Sequence, residues 1–385
     1  MSLNRTPAGL GRRGFLKAAL LAGGAFALAP LLKACAWLGL TPASQPSTPT
    51  HTAIQEAPGP APTGTSVPRD GPVNTPTATE EPGIARLAFV RTRDRAEGVR
   101  QALQLLGINP VQGRQVLLKP NLNSADAAPA STSPETLRAL VESLWQMGAR
   151  RIITADRSGM GHSRDVMQQL GIIAMAEELG FETLSFEDLT SEEDWALLQP
   201  AGSHWQAGFP FARACLEAEA LVQTCCLKPH RFGGHFTLSL KNAVGMVGKY
   251  HGSRSYNYMN ELHSSADQRL MIAEINTAYA PALIVLDGVE AFIDQGPDTG
   301  TRVWGEAVIA GTDRVALDAA GLALLRLLGY NGVAARGPIF QQDQIRRAVE
   351  LGLGVGSAEK IRLVTADEAS QAYAAQVQEV LLQAG

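Results

Sequence analysis

Between residue 83 and the C-terminus, short apolar segments alternate with longer segments whose apolar residues recur at helical spacing. The short segments are typical of buried strands, and the longer ones are typical of helices packed on a sheet. Strands are predicted at 84–90, 115–118, 151–155, 182–186, 220–227, 283–286, 307–310 and 361–364. Helices are predicted at 95–106, 134–147, 163–179, 237–247, 267–279, 313–328, 340–351 and 367–382. This alternation predicts an α/β fold with a mainly parallel sheet flanked by helices.

Two stretches depart from the alternation. Residues 191–211 include Trp195, His204 and Trp205 without a clear period, which predicts a small irregular insertion. Residues 291–303 contain Gly296-Pro297 and are predicted to form a long loop. We expect residues 83–385 to form one α/β domain that contains both stretches.

The segment 225–252 combines several features of a binding site. An apolar strand ends near Lys228 and is followed by His230, the pair Gly233-Gly234 and a helix whose predicted N-cap is Thr237. Glycine lets a backbone approach a ligand closely, and the N-terminus of a helix favours an anion. The segment is therefore predicted to form an anion cradle from a strand end, a basic loop and a helix N-terminus.

Polar residues also follow other predicted strands. Lys119 and Asn121 follow the strand at 115–118, Asp156 follows the strand at 151–155, and Asp287 follows the strand at 283–286. Ligands of open parallel sheets bind beyond the carboxyl ends of the strands, so we expect these side chains to converge there. Each residue alone also has a plain structural explanation, because Asp before Gly favours a turn and a lysine after a strand is commonly solvated.

The expected ligand is a small anion held by three lysines that meet at one end of the sheet. The ligand-binding candidates are Lys119, Asn121, Lys228, Asn242, Asp156 and Asp318. The catalytic candidates are His230, Lys241 and Asp287. Among these, His230 is the predicted proton shuttle because imidazole titrates near neutral pH. His230 and His235 with Asp156 or Asp287 also offer metal ligands, but no zinc or iron spacing is matched, so a metal or cofactor stays open.

Charge and cysteine content exclude some classes of protein. A formal net charge of -4 without a basic stripe argues against nucleic-acid binding. Four cysteines are too few for a disulfide framework, and the absence of a CxxC pair in the sequence argues against a cysteine zinc site or an iron–sulfur cluster. The adjacent Cys225 and Cys226 are expected to pack on the two faces of a strand.

The first 35 residues have the layout of an export signal. Arg12-Arg13 precede Gly14-Phe15-Leu16-Lys17, and residues 18–32 are almost wholly apolar. The pattern resembles a twin-arginine signal, whose passengers cross the membrane folded and in many cases with a cofactor. An uncleaved N-terminal anchor is the alternative, because the apolar run is borderline in length for a membrane span.

A lipid anchor at Cys35 is a second prediction for this region. Leu32-Lys33-Ala34-Cys35 resembles a lipoprotein cleavage box, although Lys33 departs from the usual small or apolar residue. Residues 36–82 are rich in Pro, Thr and Ser and lack aliphatic periodicity, which predicts a disordered tether. Together these features predict a protein exported across the cytoplasmic membrane and tethered to its outer face.

Five separated motifs occur in order along 116–328. They are Lys119-Pro120-Asn121, Leu227-Lys228 with His230, residues 237–242 with Gly245, Asp287-Gly288 with Gly296-Pro297, and Gly311-Thr312-Asp313 with Asp318. Together they resemble the domain of unknown function 362 family. The resemblance supports the predicted fold and site and implies no particular reaction. Some members of that family carry a ferredoxin-type iron–sulfur segment, whose cysteines this chain lacks.

Three functions are open from the sequence. The favoured one is an exported enzyme that acts on a small anionic substrate or cofactor, because lysines, a histidine and carboxylates are predicted to meet in one site. The second is a membrane-tethered protein that binds an anion or cofactor without chemistry. The third is a scaffold whose polar motifs only build loops. The expected partners are the small anion, the export machinery and a membrane, reached through a lipid anchor or an uncleaved signal.

Changing Arg12→Lys and Arg13→Lys together should leave the protein in the cytoplasm, because a receptor reads the arginine pair. Cell fractionation of the exporting host measures this outcome. Arg5→Lys, outside the pair, is the matched control and should be exported normally. Normal export of the double variant would rule out the twin-arginine signal.

Overall fold

The alternating pattern folds into one mixed sheet with helices on both faces, in a computed structural model that describes residues 83–383. The strands are β1 (Ala85–Arg91), β2 (Gln115–Lys119), β3 (Arg151–Asp156), β4 (Glu182–Ser185), β5 (Trp195–Leu198), β6 (Phe209–Ala212), β7 (Ala220–His230), β8 (His235–Thr237), β9 (Leu283–Phe292), β10 (Arg302–Gly311) and β11 (Ile361–Val364). The helices are α1 (Arg95–Leu106), α2 (Pro134–Gln146), α3 (Ser163–Gln169), α4 (Ile172–Leu179), α5 (Arg213–Leu216), α6 (Ser239–Asn242), α7 (Tyr258–Ser264), α8 (Gln268–Ile275), α9 (Arg314–Leu327), α10 (Asp343–Glu350) and α11 (Glu368–Gln383).

The central sheet is mainly parallel. Its strand order is β11-β1-β10-β9-β7-β2-β3-β4, and β8 pairs with β7 outside that path. The run from β9 to β4 is parallel throughout, and β1 is parallel to β11. β10 runs antiparallel to both of its neighbours. The predicted α/β fold class is therefore confirmed, and β7, β2 and β3 direct their carboxyl ends to one edge.

Helices α1 and α2 begin where the local sequence predicts. The side chain of Asp94 accepts a hydrogen bond from the backbone of Glu97, and Ser133 caps α2, whose first residue is Pro134. These helices pack with α3 and α4 on one face of the sheet. On the other face lie α9, α10 and α11, and the insertion packs with α7 and α8 in a third apolar cluster.

The predicted loop at 291–303 is confirmed for residues 293–301, but its first two and last two residues belong to strands. β9 continues to Phe292 and β10 begins at Arg302, so the two strands form a long antiparallel pair. Asp287 pairs in register with Val308 within this ladder. The strand is longer than its apolar core because backbone pairing with β10 continues past the polar residue.

The predicted helix at 237–247 is also wrong in its bounds. Thr237 ends β8, α6 is a single turn, and Ala243–Met246 form a 3₁₀ turn. The carboxylate of Asp318 in α9 accepts from the backbone N–H groups of Ser239 at 2.8 Å and Leu240 at 3.2 Å. The side chain of Asp318 therefore accepts the hydrogen bonds of the first N–H groups of α6. The sequence predicted that a ligand anion would lie at this helix start.

The insertion at 191–211 is more regular than predicted. β5 and β6 pair as a small antiparallel sheet, and Trp195, Trp205, Phe209 and Phe211 are buried beneath it. The aromatic residues of this hairpin belong to an apolar cluster that also contains Leu117, Ala155 and Leu221 of the central sheet.

The predictions for residues 1–82 lie outside the described residues. They include the export signal, the lipid site at Cys35 and the tether. Within residues 83–383, no helix combines the length and the apolar character that a membrane crossing requires.

Asp318→Ala should lower the free energy of unfolding by about 1–3 kcal/mol, because the backbone N–H groups of two residues in α6 would lose their buried acceptor. Urea denaturation followed by circular dichroism measures the change. Asp318→Asn is the matched control, since one side-chain oxygen still accepts a hydrogen bond, and its loss should be less than half as large. An Asp318→Ala variant as stable as the wild type would contradict this account of α6.

Candidate functional site

A cavity of about 360 Å³ lies at the carboxyl ends of three neighbouring parallel strands. Lys119 ends β2, Asp156 ends β3 and His230 ends β7, and all three residues line it. Its volume is within the range of about 300–1,000 Å³ that is usual for small-molecule sites. The cavity is where the fold predicts a ligand to bind.

Lys119 and Asp156 form a buried ion pair on one wall of the cavity. Nζ of Lys119 lies 2.7 Å from Oδ1 of Asp156, and each residue is at most 2% exposed. The backbone N–H of Leu122 donates to the other carboxylate oxygen at 2.7 Å. Burial lowers the pKa of Lys119 and raises the pKa of Asp156, while their mutual attraction opposes both shifts. The pair therefore balances its own charge and leaves little for a ligand.

Asn242 connects this pair to α6. Its side-chain oxygen accepts from Nζ of Lys119 at 2.9 Å, and its side-chain nitrogen donates to the backbone oxygen of Thr224 at 3.1 Å. Asn121 lies within 3.5 Å of the same Asn242 oxygen. Asn121 and Asn242, both predicted to bind the ligand, line the cavity. The side chain of Asn242 is mainly hydrogen-bonded to other groups of the protein.

Lys228 reaches the cavity from within β7. Its ammonium donates to the backbone oxygen of Ala130 and has no carboxylate partner among the described residues. Burial lowers its pKa to about 8, with nearby thiols and carboxylates opposing the shift. Lys228 is therefore a buried cation whose charge is only partly compensated.

Lys241 is the least compensated cation of the site. Its side chain is 7% exposed, lines the cavity and makes no hydrogen bond or ion pair with any residue of the described chain. Burial, followed by repulsion from Arg157 and Lys228, lowers its pKa to about 7. The amine of Lys241 therefore changes charge near neutral pH.

Two histidines line the cavity as neutral imidazoles. The pKa of His230 is lowered, mainly by burial and then by the charges of Lys241 and Lys228. The pKa of His263, on α7, is lowered by burial and by Lys241. The predicted proton shuttle therefore lies at the cavity, but its surroundings oppose its protonated form.

Three residues that line the cavity carry buried polar atoms without a partner in residues 83–383. They are Oδ1 of Asn121, Nδ1 of His230 and Oγ1 of Thr237. Buried polar groups are nearly always hydrogen-bonded in folded proteins. Unpaired groups that share one cavity with an unpaired lysine indicate a place for a polar ligand.

Two glycines make room for the lysines. A Cβ atom on Gly245 would lie 2.3 Å from Oδ1 of Asp156 and 2.8 Å from Nζ of Lys119. A Cβ atom on Gly234 would lie 2.7 Å from Cε of Lys241. A side chain at Gly245 would displace the buried ion pair, and a side chain at Gly234 would make the end of the Lys241 side chain shift.

Asp287 does not line the cavity, so the expectation that it converges there with the other site residues is wrong. Its carboxylate lies 3.0 Å from Nε of Arg95 and accepts from Oγ1 of Thr136 at 2.6 Å. Along β9, Asp287 shares the face of Val285 and Val289, which pack towards α1 and α2. Strand alternation thus directs it to the helix layer.

Asp318 also lies outside the cavity lining. It is fully buried behind α6, and burial raises its pKa to about 8 although two backbone N–H groups oppose that shift. Its predicted part in ligand binding becomes a structural one, because it positions the helix that carries Lys241 and Asn242.

The metal constellation considered from the sequence is not assembled. His230 faces the cavity, whereas His235 pairs across the β7–β8 hairpin and does not line it. In the part of the chain that the structure describes, no group of three or more His, Cys, Asp or Glu side chains is placed to hold a metal ion.

The sequence missed a group of residues on the outer walls. Arg157 lines the cavity and donates from Nε to the backbone oxygen of Val247 at 2.7 Å. Met259, Asn260 and His263 come from α7, which was not predicted. The available signal was Asn257, whose side chain caps α7 by accepting from two backbone N–H groups.

The comparisons place the chain in a family. The family model described as Domain of unknown function (DUF362) matches residues 116–323, and the chain belongs to that family. No curated protein matches the chain. The lactate racemase apoprotein from Thermoanaerobacterium thermosaccharolyticum is similar in structure at a TM-score of 0.37 and 14% identity, over 77% of this chain and 86% of that chain. This likeness is too distant to support an argument about the site.

Gly245→Ala should lower the free energy of unfolding by about 1–3 kcal/mol, because the added methyl group would force Lys119 and Asp156 apart in a buried place. Thermal and urea unfolding measure the loss. Gly356→Ala is the matched control, since its added Cβ would meet only Val349, at 3.3 Å, and should change stability little. Equal stability of the two variants would contradict the tight packing of the ion pair.

Proposed function

We propose that this member of the DUF362 family binds a small organic anion in the cavity at the ends of β2, β3 and β7. A carboxylate or a phosphate group would lie between Lys241 and Lys228. The unpaired ammonium of Lys241 is the observation on which the proposal rests. A desolvated cation without a counter-ion is costly, and an anion that enters the cavity removes that cost.

The charge of the cavity lining supports an anion over a cation or a neutral ligand. Five basic side chains line it: Lys119, Arg157, Lys228, Lys241 and Lys249. Asp156 is the one carboxylate among the described residues of the lining, and Lys119 already neutralises it. The remaining positive charge is available to a ligand.

The favoured function is an enzyme in which Lys241 transfers a proton to or from the bound anion. A general base works best when its pKa is close to the operating pH, and the pKa of Lys241 is about 7. His230 would serve as a neutral hydrogen-bonding group beside it. We therefore transfer the role of proton carrier from His230 to Lys241, and Asp287 has no part in it.

The alternative is a binding protein that performs no chemistry. It needs Lys241 only as a cation, and the firm pairing of Asp156 with Lys119 is consistent with that simpler role. The two functions differ in whether Lys241 must lose its proton, which a guanidinium at that position cannot do.

We also propose that the protein works outside the cytoplasmic membrane, tethered to its outer face. The support is the arginine pair Arg12-Arg13, the predicted lipid site Cys35 and the polar segment 36–82. A tethered cavity would encounter anions outside the cell membrane, and the export machinery would be a transient partner.

Sulfate should raise the melting temperature of the wild-type protein, and the response should fall as pH rises from about 6 to 9, because bound anion favours the protonated lysines. Without ligand, the melting temperature itself should rise with pH over this range. The unfolded state holds the Lys241 proton between a pH of about 7 and its ordinary pKa of 10.5, so this residue makes the folded state more stable as pH rises through that range. Differential scanning calorimetry across pH measures both trends.

Lys241→Met should abolish the sulfate response and raise the melting temperature without ligand, because it removes an unpaired buried charge but keeps most of the side-chain length. Lys249→Met is the matched control at an exposed lysine of the same lining and should retain most of the response. Lys241→Arg should keep the response and weaken its pH dependence. A sulfate response unchanged by Lys241→Met would refute the proposed anion site.

A further inference from the structure

We infer that the bound anion carries an apolar, planar group, which Phe232 and Met160 contact at the mouth of the cavity. This inference rests on the proposed anion site and adds the class of molecule that it accepts. It depends on the arrangement of apolar side chains around the opening, which anion binding alone does not require.

The cavity has its charged groups inside and its apolar groups at the opening. Lys228 is 0% exposed and Lys241 is 7% exposed, whereas Phe232 is 48% and Met160 is 44% exposed, and all four line the cavity. The usual arrangement is the reverse, with charge at the surface and apolar side chains inside. A ligand that matches this order has its anionic end inside and its apolar end at the mouth.

Phe232 is held at the mouth by the residues beside it. Its ring lies edge-on to the His230 ring with centroids 5.8 Å apart, and the guanidinium of Arg231 lies 4.4 Å from its centroid. Arg231 is in turn fixed by Asp298, at 2.7 Å, and by the backbone oxygen of Gly296 at 2.9 Å. The Phe232 ring is therefore preorganised at the tip of the β7–β8 hairpin, with part of its surface left to a ligand.

Met160 comes to the same opening from a different loop. It follows β3, and its backbone N–H donates to the backbone oxygen of Asn123 at 2.8 Å. Its sulfur lies 3.6 Å from the side-chain nitrogen of Asn123. Sulfur and an aromatic ring are favourable surfaces for a planar apolar group, and methionine adapts its shape to what it contacts.

The size of the cavity also exceeds that of a simple anion. Its volume of about 360 Å³ is that of a site for an organic molecule, not for one inorganic ion. Val244 and Met259, each 8% exposed, give the cavity further apolar lining. A single exposed apolar residue needs no explanation, but two exposed and two buried apolar residues that line one cavity with a buried lysine do.

Phenyl phosphate and methyl phosphate distinguish this inference from anion binding alone. Both monoesters are largely dianions at a pH of about 7, so they differ in the apolar group and not in charge. Isothermal titration calorimetry on the full-length protein should show about tenfold tighter binding of phenyl phosphate, the size expected of an aromatic contact. Phenylacetate and acetate, run in parallel, test the same preference if the site takes carboxylates.

Phe232→Ala should remove the preference for the phenyl ligand and change the affinity for methyl phosphate by less than about twofold. Tyr256→Ala is the matched control, because Tyr256 is an exposed aromatic residue outside the cavity lining, and it should keep the full preference. Equal binding of the phenyl and methyl ligands, or a preference that survives Phe232→Ala, would overturn the inference and leave the anion site standing. If none of the four ligands binds, the anion site itself is wrong, and the inference falls with it.

Discussion

The buried ion pair between Lys119 and Asp156 determines the shape of the site. It joins the ends of β2 and β3, and Asn242 extends the contact to α6. Two opposite charges can remain dry only while they stay in contact, since separating them leaves each uncompensated in a medium of low dielectric constant. The backbone at Gly245 packs directly against this pair, and the close contact fixes one wall of the cavity.

Lys241 and Lys228 are buried without such a partner, and the contrast with Lys119 carries the functional argument. Selection for stability alone would pair these ammonium groups with carboxylates or replace the two lysines, because unpaired buried charges destabilise the empty protein. The chain keeps both lysines, and burial lowers the pKa of Lys241 to about 7 and that of Lys228 to about 8. Groups of this kind concentrate at functional sites, where they are used instead of neutralised.

Local signals predicted the elements well, and distant contacts account for most of the errors. Asp94 and Ser133 mark the starts of α1 and α2 through their own backbone neighbourhoods, so their sequence was sufficient. The lysines were grouped correctly around one cavity because parallel strands share a carboxyl edge. Asp287 was misplaced because pairing with β10 extends β9 beyond it, and the short α6 was missed because Asp318, 79 residues from Ser239, supplies its cap. The residues that flank Asp287 and Ser239 in the sequence do not indicate these partners, which are β10 and Asp318.

One short segment around the β7–β8 hairpin supplies several residues of the site. Lys228, His230, Phe232, Thr237 and Lys241 all line the cavity, and all fall within one short contiguous stretch that projects past the sheet and returns into α6. The opposite wall, from β2 and β3, is built around an ion pair that already satisfies itself. One side of the cavity is thus built on an ion pair, and the other on a single segment whose Phe236, Leu238 and Leu240 belong to the apolar core. Any change of the ligand-binding residues in this segment must therefore preserve the core packing of the residues between them.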